Sequence, residues 1–118
     1  MFESRSTGAI LMPNITLRFT PEMRQAIYGG RKCCTARNEP KGAVGDTFVI
    51  GARDYRIIDV QEQALNDVAR LLYRQEGFES PGEFIMFWKS LHLGDPYLPW
   101  RTVHVHWFAR VEQEADAR

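Results

Sequence analysis

Apolar and polar residues alternate in several short stretches of this chain, and mostly short connections join these stretches. Alternation with a period of two is typical of strands that bury one face. The predicted strands are residues 12–19, 31–37, 46–50, 55–60 and 102–110. Because most of the connections are hairpin-like, we expect an α+β fold: a small mixed or antiparallel β-barrel of about five to six strands, with two to three helices at its ends.

Three segments carry the signals of helix starts and stops. A residue that can cap the free backbone amides precedes each predicted helix, and in two cases proline follows it at the first helical position. These caps are Thr20, Asn66 and Ser80. The corresponding helices run from Pro21 to the glycines at 29 and 30, from Asp67 to about Gln75, and from Pro81 to about His92.

The length and composition indicate one domain. The chain has 118 residues, of which 44% are apolar and 25% are charged, as in ordinary globular proteins. We expect a single domain over residues 12–111, with a flexible N-terminus (1–11) and a flexible acidic tail (112–118). There is no run of 18 apolar residues and no signal-peptide pattern at the start, so we expect a cytoplasmic protein without membrane contact.

The charges balance to zero over the whole chain but not locally. Between residues 18 and 41 there are only two acidic residues, Glu22 and Glu39. The basic residues of the same stretch are Arg18, Arg24, Arg31, Lys32, Arg37 and Lys41. This clustering predicts a basic patch on a neutral protein, although each member taken alone is equally well explained as a solvated surface residue.

The densest part of that patch follows a double glycine. Glycine readily adopts positive φ, so Gly29 and Gly30 can end a helix and turn the chain sharply. The strand that follows would present its polar side chains from a stiff element, and we predict that it forms the floor of a binding or catalytic pocket. The side chains concerned are Arg31, Lys32, Thr35 and Arg37. Lys32 and Thr35 would point to opposite faces of a regular strand, so Lys32 must lie in the turn or the strand must bulge.

In its motifs the chain resembles the ASCH domain, a small β-barrel related to PUA RNA-binding domains. The shared features are a helix ending in Gly-Gly, then Lys32, Thr35 and Arg37 at fixed spacing, and later Glu76-Gly77-Phe78. Gly45-Asp46 before a strand, Ser80, Glu83-Phe84, Trp88 and the last strand complete the match. The longer loop around Pro96–Trp100 and Ala36, where a larger apolar residue is common, depart from it.

This resemblance implies a function connected with nucleosides or RNA. Some small bacterial ASCH proteins are amidohydrolases that remove the acetyl group from N4-acetylcytidine, and others act on RNA as nucleases. Carried over to this sequence, the resemblance implies the catalytic set Lys32, Thr35 and Glu76, with Arg37 as a flanking pocket residue. We also assign Arg31, Tyr97 and Trp100 to substrate binding, the two aromatic residues because a proline-rich loop could present them for stacking on a base.

The chemistry of these residue types agrees with an amide hydrolase. A hydroxyl such as that of Thr35 attacks a carbonyl when a base removes its proton, and lysine can act as that base where burial or nearby cations such as Arg31 lower its pKa. Glu76 could bind an exocyclic amine, hydrogen-bond Lys32, or protonate the leaving amine. The alternative for Glu76 is a surface residue paired with Arg74.

The histidines and cysteines carry weaker signals. His104 and His106 share one strand face and could bind a metal if His92 or an acid joined them, but the sequence does not indicate which residue would be the third ligand. Cys33 and Cys34 are adjacent and form no CxxC pair, so neither a disulfide nor a cysteine zinc site is expected. We therefore predict no metal, no cofactor and no protein partner.

Three functions remain open from the sequence. The first is a metal-free amidohydrolase that acts on an N4-acylated cytidine or a related modified nucleoside. The second is a non-catalytic module that binds RNA or a nucleotide through its basic patch. The third is a ribonuclease in which His104 or His106 acts as the general acid or base.

Overall fold

The computed structural model describes residues 13–111, and the predicted flexible ends lie outside these residues. The described part is α+β and contains three helices and four strands. The helices are α1 (Pro21–Tyr28), α2 (Leu65–Leu71) and α3 (Pro81–Leu91). The strands are β1 (Cys34–Arg37), β2 (Thr47–Ile50), β3 (Arg53–Ala64) and β4 (Thr102–Arg110). None of the described helices is long and apolar enough to cross a membrane.

The four strands form one antiparallel sheet in the order β1-β4-β3-β2, curled into a half-barrel. The predicted fold class is thus confirmed in outline, but the expected count of five to six strands is wrong for the described chain. β4 is an inner strand that pairs with β1 on one side and β3 on the other. Its consecutive residues Val105 and His106 are both buried, so both faces of this strand are covered.

The strand predicted over residues 12–19 is not formed in its described part. Ile15, Leu17 and Phe19 do turn inward while their neighbours are exposed, as the alternation predicts. However, the segment makes backbone-to-backbone hydrogen bonds with the sheet only at one end, where the amides of Asn14 and Ile15 both donate to the Thr47 carbonyl. Alternation reports which side chains face the core, whereas a strand also needs a partner along its length.

Two of the three predicted helix caps are present. The Thr20 hydroxyl accepts from the Met23 amide at 3.2 Å, and the Ser80 hydroxyl accepts from the Glu83 amide at 3.1 Å. At the far end of α1, Gly30 has a φ of 79° and turns the chain as predicted. The two caps were predicted correctly because the capping hydroxyl and the amide that donates to it lie within one helical turn of each other.

The predicted start of α2 is wrong, and it ends at Leu71, earlier than predicted. The helix begins at Leu65, and its N-cap, Ala64, has no capping side chain. The first amides are satisfied from elsewhere: Leu65 donates to the Arg101 carbonyl at 2.8 Å and Asn66 donates to the Pro99 carbonyl at 2.9 Å. Because a distant loop supplies these acceptors, no side-chain cap is required.

The core has two apolar parts. One lies between the sheet and helices α2 and α3 and consists of Cys34, Leu65, Val68, Ala69, Phe84, Trp88, Val103 and Val105. The other lies against β2 and β3 and consists of Leu17, Ile27, Phe48, Ile50, Tyr55, Ile57 and Phe108. The buried polar residues of the described chain, apart from Thr47, are Lys32, Thr35, Glu76 and His106.

Candidate functional site

Lys32 lies in the turn between α1 and β1. The amides of Arg31 and Lys32 both donate to the Ala26 carbonyl, which folds the chain back over the end of the helix. Lys32 then forms an isolated antiparallel bridge with Glu76. In a regular strand Lys32 and Thr35 would point to opposite faces, because they are three residues apart. Lys32 lies outside the strand, so this restriction does not apply.

Gly77 makes this approach possible. Its φ is 101°, and a Cβ atom added there would lie 3.3 Å from the Lys32 Cβ and 3.2 Å from the Ala26 Cβ. A side chain at this position would therefore be strained and would push against Lys32. The glycine after Glu76 allows the two backbone segments to lie side by side.

Lys32 and Glu76 form a buried ion pair. The Lys32 Nζ lies 2.7 Å from Glu76 Oε1 and also donates to the Glu76 carbonyl at 3.1 Å. The second carboxylate oxygen, Oε2, accepts from the Ala36 amide at 2.8 Å. Lys32 is only 4% exposed and Glu76 only 3%, so Glu76 is not the surface residue paired with Arg74 that the sequence left open.

Thr35 is buried beside this pair, and Arg37 holds its hydroxyl. The Arg37 Nε donates to Thr35 Oγ1 at 3.0 Å, while a terminal nitrogen of the same guanidinium donates to the Arg18 carbonyl at 2.9 Å. Burial lowers the pKa of Arg37 and the nearby Glu76 carboxylate opposes that shift. Because the Thr35 oxygen accepts from Arg37, its own proton can be donated to another group.

His106 supports Thr35 from the neighbouring strand. Its Nε2 accepts from the Lys41 amide at 2.9 Å, so in the neutral ring Nδ1 carries the proton and donates to the Thr35 carbonyl at 3.3 Å. Burial is the main cause that lowers the pKa of His106. His104 is only half-buried. Within residues 13–111, no group of three or more His, Cys, Asp or Glu side chains is arranged to hold a metal ion.

A cavity of about 630 Å³ opens onto these polar groups. Lys32, Thr35, Glu76 and Arg37 all line it. The apolar wall comes from α1, α3 and the extended segment before α1, and consists of Phe19, Met23, Phe84, Phe87, Trp88 and Leu91. The polar remainder consists of Arg18, Thr20, Asn38, Glu39, Lys41 and His92. The cavity thus combines an aromatic wall with a buried polar floor and several side chains that can carry charge.

Phe19 connects the wall with the floor. Its ring centroid lies 5.0 Å from the Arg37 guanidinium carbon and 5.9 Å from the Lys32 Nζ. Cations are attracted to the face of an aromatic ring at such distances. The extended segment that was predicted as a strand therefore contributes a cavity residue.

Three of the residues that the sequence assigns to substrate binding do not line the cavity. Arg31 is exposed and its guanidinium donates to the Gly77 carbonyl at 3.4 Å. Tyr97 packs edge-on against Trp88 with ring centroids 5.6 Å apart. Trp100 is 73% exposed on the loop before β4. The prolines correctly place Tyr97 and Trp100 outside the helices and strands. They do not indicate on which side of the domain the loop lies.

The sequence did not reveal the aromatic wall. Phe84, Phe87, Trp88 and Leu91 recur at helical spacing, and such a stripe indicates a helix face that packs on a core. In the structure Phe84 and Trp88 do pack in the core, yet all four residues also border the cavity. Apolar periodicity alone does not distinguish a core face from a pocket wall.

The cysteines have no place in the site. Cys34 is fully buried in the core and Cys33 is half-buried, and both are free thiols. Desolvation by burial is the main cause that raises the pKa of each thiol. The raised pKa of each thiol disfavours the thiolate, which is the reactive form.

The curled antiparallel sheet with its three helices can be compared with solved structures. The chain has the fold of ASCH domains, so the predicted resemblance is confirmed at the level of fold. No protein-family model matches the sequence, and no curated protein is similar to it in sequence.

Three solved structures illustrate this similarity of fold. A protein from Enterococcus faecalis assigned to the family DUF984 has a TM-score of 0.64 and 19% identity, over 89% of this chain and 84% of that one. An ASCH domain from Lactobacillus crispatus has a TM-score of 0.56 and 16% identity, over 75% of this chain and 69% of that one. An ASCH protein from Zymomonas mobilis has a TM-score of 0.58 and 15% identity, over 84% and 67%.

Proposed function

We propose that this protein is a metal-free amidohydrolase that cleaves an N4-acylated cytidine or a related modified nucleoside. The observation that carries the proposal is that the buried Lys32–Glu76 ion pair and the hydroxyl residue Thr35 line one cavity. A cavity of about 630 Å³ is in the range of small-molecule sites. The residues implied by the resemblance line this one cavity, which supports a role for them with one substrate.

Thr35 is the nucleophile in this proposal. Its oxygen is fixed by the hydrogen bond from Arg37, which leaves the hydroxyl proton for a base. Attack by Oγ1 on the acyl carbon forms a C–O bond and places negative charge on the former carbonyl oxygen. The two cations of the site, Lys32 and Arg37, supply favourable electrostatics for that charge.

The ion pair supplies both the base and the acid. Transfer of one proton from Lys32 to Glu76 converts the charged pair into a neutral amine and a carboxylic acid without changing the net charge of the site. The neutral Lys32 then accepts the Thr35 proton, and Glu76 protonates the leaving exocyclic nitrogen as the C–N bond breaks.

A water molecule completes the cycle in this proposal. The charged pair, restored in the first half, transfers its proton again, and Lys32 accepts a proton from the water that attacks the acyl-threonine ester. The C–O bond to Thr35 breaks, the threonine oxygen takes a proton back from the pair, and the carboxylic acid leaves. The substrate is thereby split into a free amine and an acid, with every proton accounted for.

The direct test is hydrolysis of N4-acetylcytidine by Thr35→Val, followed by chromatography of the cytidine released. Valine fills nearly the same space as threonine, and Thr35 is only 5% exposed, so the fold should persist while turnover falls at least about 100-fold. Thr102→Val is the matched control, because Thr102 is an exposed threonine on β4 outside the cavity. Turnover by Thr35→Val at the wild-type rate would remove the nucleophile from the proposal.

The second candidate is a nucleotide- or RNA-binding module, favoured by the basic residues Arg18, Arg37 and Lys41 around the cavity. Binding through these cations requires affinity for a short RNA that falls steeply with salt. Salt-independent binding of a free nucleoside would instead agree with the hydrolase.

The ribonuclease hypothesis receives less support. Both ring nitrogens of His106 contact backbone groups, and its pKa is lowered by burial. Such a ring is poorly suited to donate a proton to a substrate at neutral pH. Loss of RNA cleavage on replacing His104 and His106 together would be needed to revive this hypothesis.

A further inference from the structure

His106 is a buried polar residue that the proposed chemistry does not use. Its side chain is fully buried, and it lies on β4, an inner strand of the sheet. Burial of an imidazole costs free energy unless its ring nitrogens have hydrogen-bond partners, so a buried histidine needs a physical explanation. Packing alone does not provide one, because an apolar side chain could fill the same space without that cost.

The two ring nitrogens of His106 connect two different segments of the chain. Nδ1 donates to the carbonyl of Thr35, the residue opposite His106 in the pairing of β1 with β4. Nε2 accepts from the backbone amide of Lys41 at 2.9 Å. Lys41 follows the end of β1 and lies in the irregular connection to β2. The ring thus links the sheet to a segment that is not part of it.

The segment of residues 38–42, at the start of this connection, borders the cavity. Three of its side chains line the cavity, those of Asn38, Glu39 and Lys41. Among the hydrogen bonds within residues 13–111, the one from the Lys41 amide to His106 is the only one that joins this segment to another part of the chain. One oriented contact therefore fixes the backbone of a stretch that forms part of the cavity lining.

Close packing at the end of the segment agrees with a fixed position. A Cβ atom added to Gly42 would lie 2.8 Å from the Ile15 Cδ1 and 3.0 Å from the Ile57 Cδ1. The glycine thus lets the chain pass close to two core side chains directly after Lys41. Packing sets where the chain passes, and the hydrogen bond to His106 sets the orientation of the Lys41 amide.

We propose that His106 is a positioning residue that holds residues 38–42 in place at the cavity and thereby sets the affinity for the substrate. The inference rests on the proposed function for the identity of that substrate, an N4-acylated cytidine. His106 does not line the cavity and forms or breaks no bond in the reaction. A segment that has lost its hydrogen bond must be ordered again when a ligand binds, and the cost of this ordering weakens binding.

Two replacements separate the two hydrogen bonds of His106. The carboxamide of asparagine lies at about the position of Nδ1, where it can donate to the Thr35 carbonyl but does not reach the Lys41 amide. The carboxamide of glutamine extends to about the position of Nε2, where its oxygen can accept from Lys41. His106→Asn therefore removes the link to residues 38–42, and His106→Gln keeps it. His104→Gln is the matched control, because His104 lies on the same strand but does not line the cavity.

Hydrogen exchange of the Lys41 amide, followed by NMR, tests the link itself. We expect exchange at least about tenfold faster in His106→Asn than in wild type, and protection close to that of wild type in His106→Gln and His104→Gln. Equal protection of this amide in His106→Asn and wild type would show that the ring does not hold the segment.

Hydrolysis of N4-acetylcytidine tests the consequence for binding. We expect the KM of His106→Asn to be at least about threefold higher than that of His106→Gln, with kcat values within about twofold of each other, because the loss of one hydrogen bond changes an equilibrium several-fold. General damage would instead reduce the amount of active enzyme, which lowers the apparent kcat and leaves KM unchanged. A KM ratio below threefold between the two folded variants would overturn the inference.

A second pair of variants serves if His106→Asn does not fold. Lys41→Pro removes the amide that donates to His106 and leaves the buried ring in place, whereas Lys41→Ala removes the same side chain and keeps the amide. A KM at least about threefold higher for Lys41→Pro than for Lys41→Ala would support the inference. Equal KM values for these two variants would overturn it.

Binding of free cytidine, measured by calorimetry, distinguishes failure of this inference from failure of the proposed function. Weaker cytidine binding by His106→Asn than by His106→Gln, with no hydrolysis of N4-acetylcytidine by wild type, would support the positioning role and reject the hydrolase. Hydrolysis with equal KM and equal cytidine affinity in the two variants would support the hydrolase and reject the positioning role. No binding and no hydrolysis by wild type would reject both.

Discussion

Two buried clusters on the same sheet differ in the kind of contact that holds them. In the aromatic cluster, the rings of Phe48, Tyr55 and Phe108 lie 5.5–5.9 Å apart and their contacts are mainly ring against ring. In the polar cluster, Lys32 and Glu76 are equally hidden from solvent but are held by oriented hydrogen bonds to each other and to the backbone.

The two clusters contribute differently to the stability of this small domain. Burial of aromatic rings is directly favourable, whereas burial of two charges costs solvation that their attraction only partly offsets. An apolar pair of the same volume would stabilise the protein as well or better. A contribution to stability therefore does not by itself explain this buried ion pair.

The largest effects should come from removing one member of either cluster. Phe48→Ala leaves a cavity in the core, and Lys32→Ala leaves the Glu76 charge buried without its partner, so each should lower the free energy of unfolding by about 3–5 kcal/mol. Urea denaturation followed by circular dichroism measures both. The exposed Lys89→Ala serves as the control and should change stability by less than about 0.5 kcal/mol. If Lys32→Ala were as harmless as Lys89→Ala, the two clusters would not differ as described.

A smaller effect should appear on acidification. The folded pKa of His106 lies below its ordinary value of 6.5, so the unfolded chain binds a proton first and the stability that neutral His106 supports is lost as the pH falls through 6.5. A protonated Nε2 can no longer accept from the Lys41 amide, a loss on the order of one hydrogen bond or about 1 kcal/mol. Unfolding curves between pH 7.5 and 5 should show this slope in wild type and in His104→Gln, and less of it in His106→Gln. An equal slope in all three would assign the titration to other groups.

How much of the site the sequence could predict depends on how local each signal is. The odd spacing from Lys32 to Thr35 restricted Lys32 to the turn or to a bulged strand, and the structure shows the turn. The caps of α1 and α3 were predicted correctly from neighbouring residues. The partner of Glu76 came only through the resemblance, because the two residues are 44 positions apart.

The predictions that the structure does not match depend on contacts between segments that are far apart in the chain. The segment around Leu17 has the pattern of a strand but finds no partner along its length, and α2 takes its first acceptors from Pro99 and Arg101. Trp100 and Tyr97 have the right chemistry for stacking on a base but do not line the cavity. Each of these outcomes is decided by which distant segment lies alongside, and periodicity does not report that.

The helix caps test the difference between local signals and contacts with distant segments, and the expected change in the free energy of unfolding is about 1 kcal/mol. Ser80→Ala removes the acceptor for the Glu83 amide and should destabilise the protein by about 0.5–2 kcal/mol. Asn66→Ala should have little effect, because the first amides of α2 already bond to carbonyl groups of the loop before β4. Thermal unfolding of the two variants measures both effects. An equal loss of Tm in Ser80→Ala and Asn66→Ala would show that Asn66 also acts as a cap.

The smallest effect should come from an ion pair in solvent. Asp67 and Arg70 lie 3.0 Å apart on α2 with side chains 46% and 57% exposed, so they are largely screened by water. Asp67→Asn should therefore change the free energy of unfolding by no more than about 0.5 kcal/mol. Denaturation in low and high salt should give nearly the same small value, and a loss comparable with that of Lys32→Ala would contradict the distinction between exposed and buried pairs.

The most direct measurement is a double replacement of the buried pair, Lys32→Met with Glu76→Gln, in which glutamine keeps an acceptor for the Ala36 amide. We expect this variant to regain most of the stability that Lys32→Ala loses, to within about 1 kcal/mol of wild type, because no unpaired charge remains. Its turnover of N4-acetylcytidine should nevertheless be abolished. A folded double variant that still hydrolyses N4-acetylcytidine at the wild-type rate would contradict the assignment of the buried pair to catalysis.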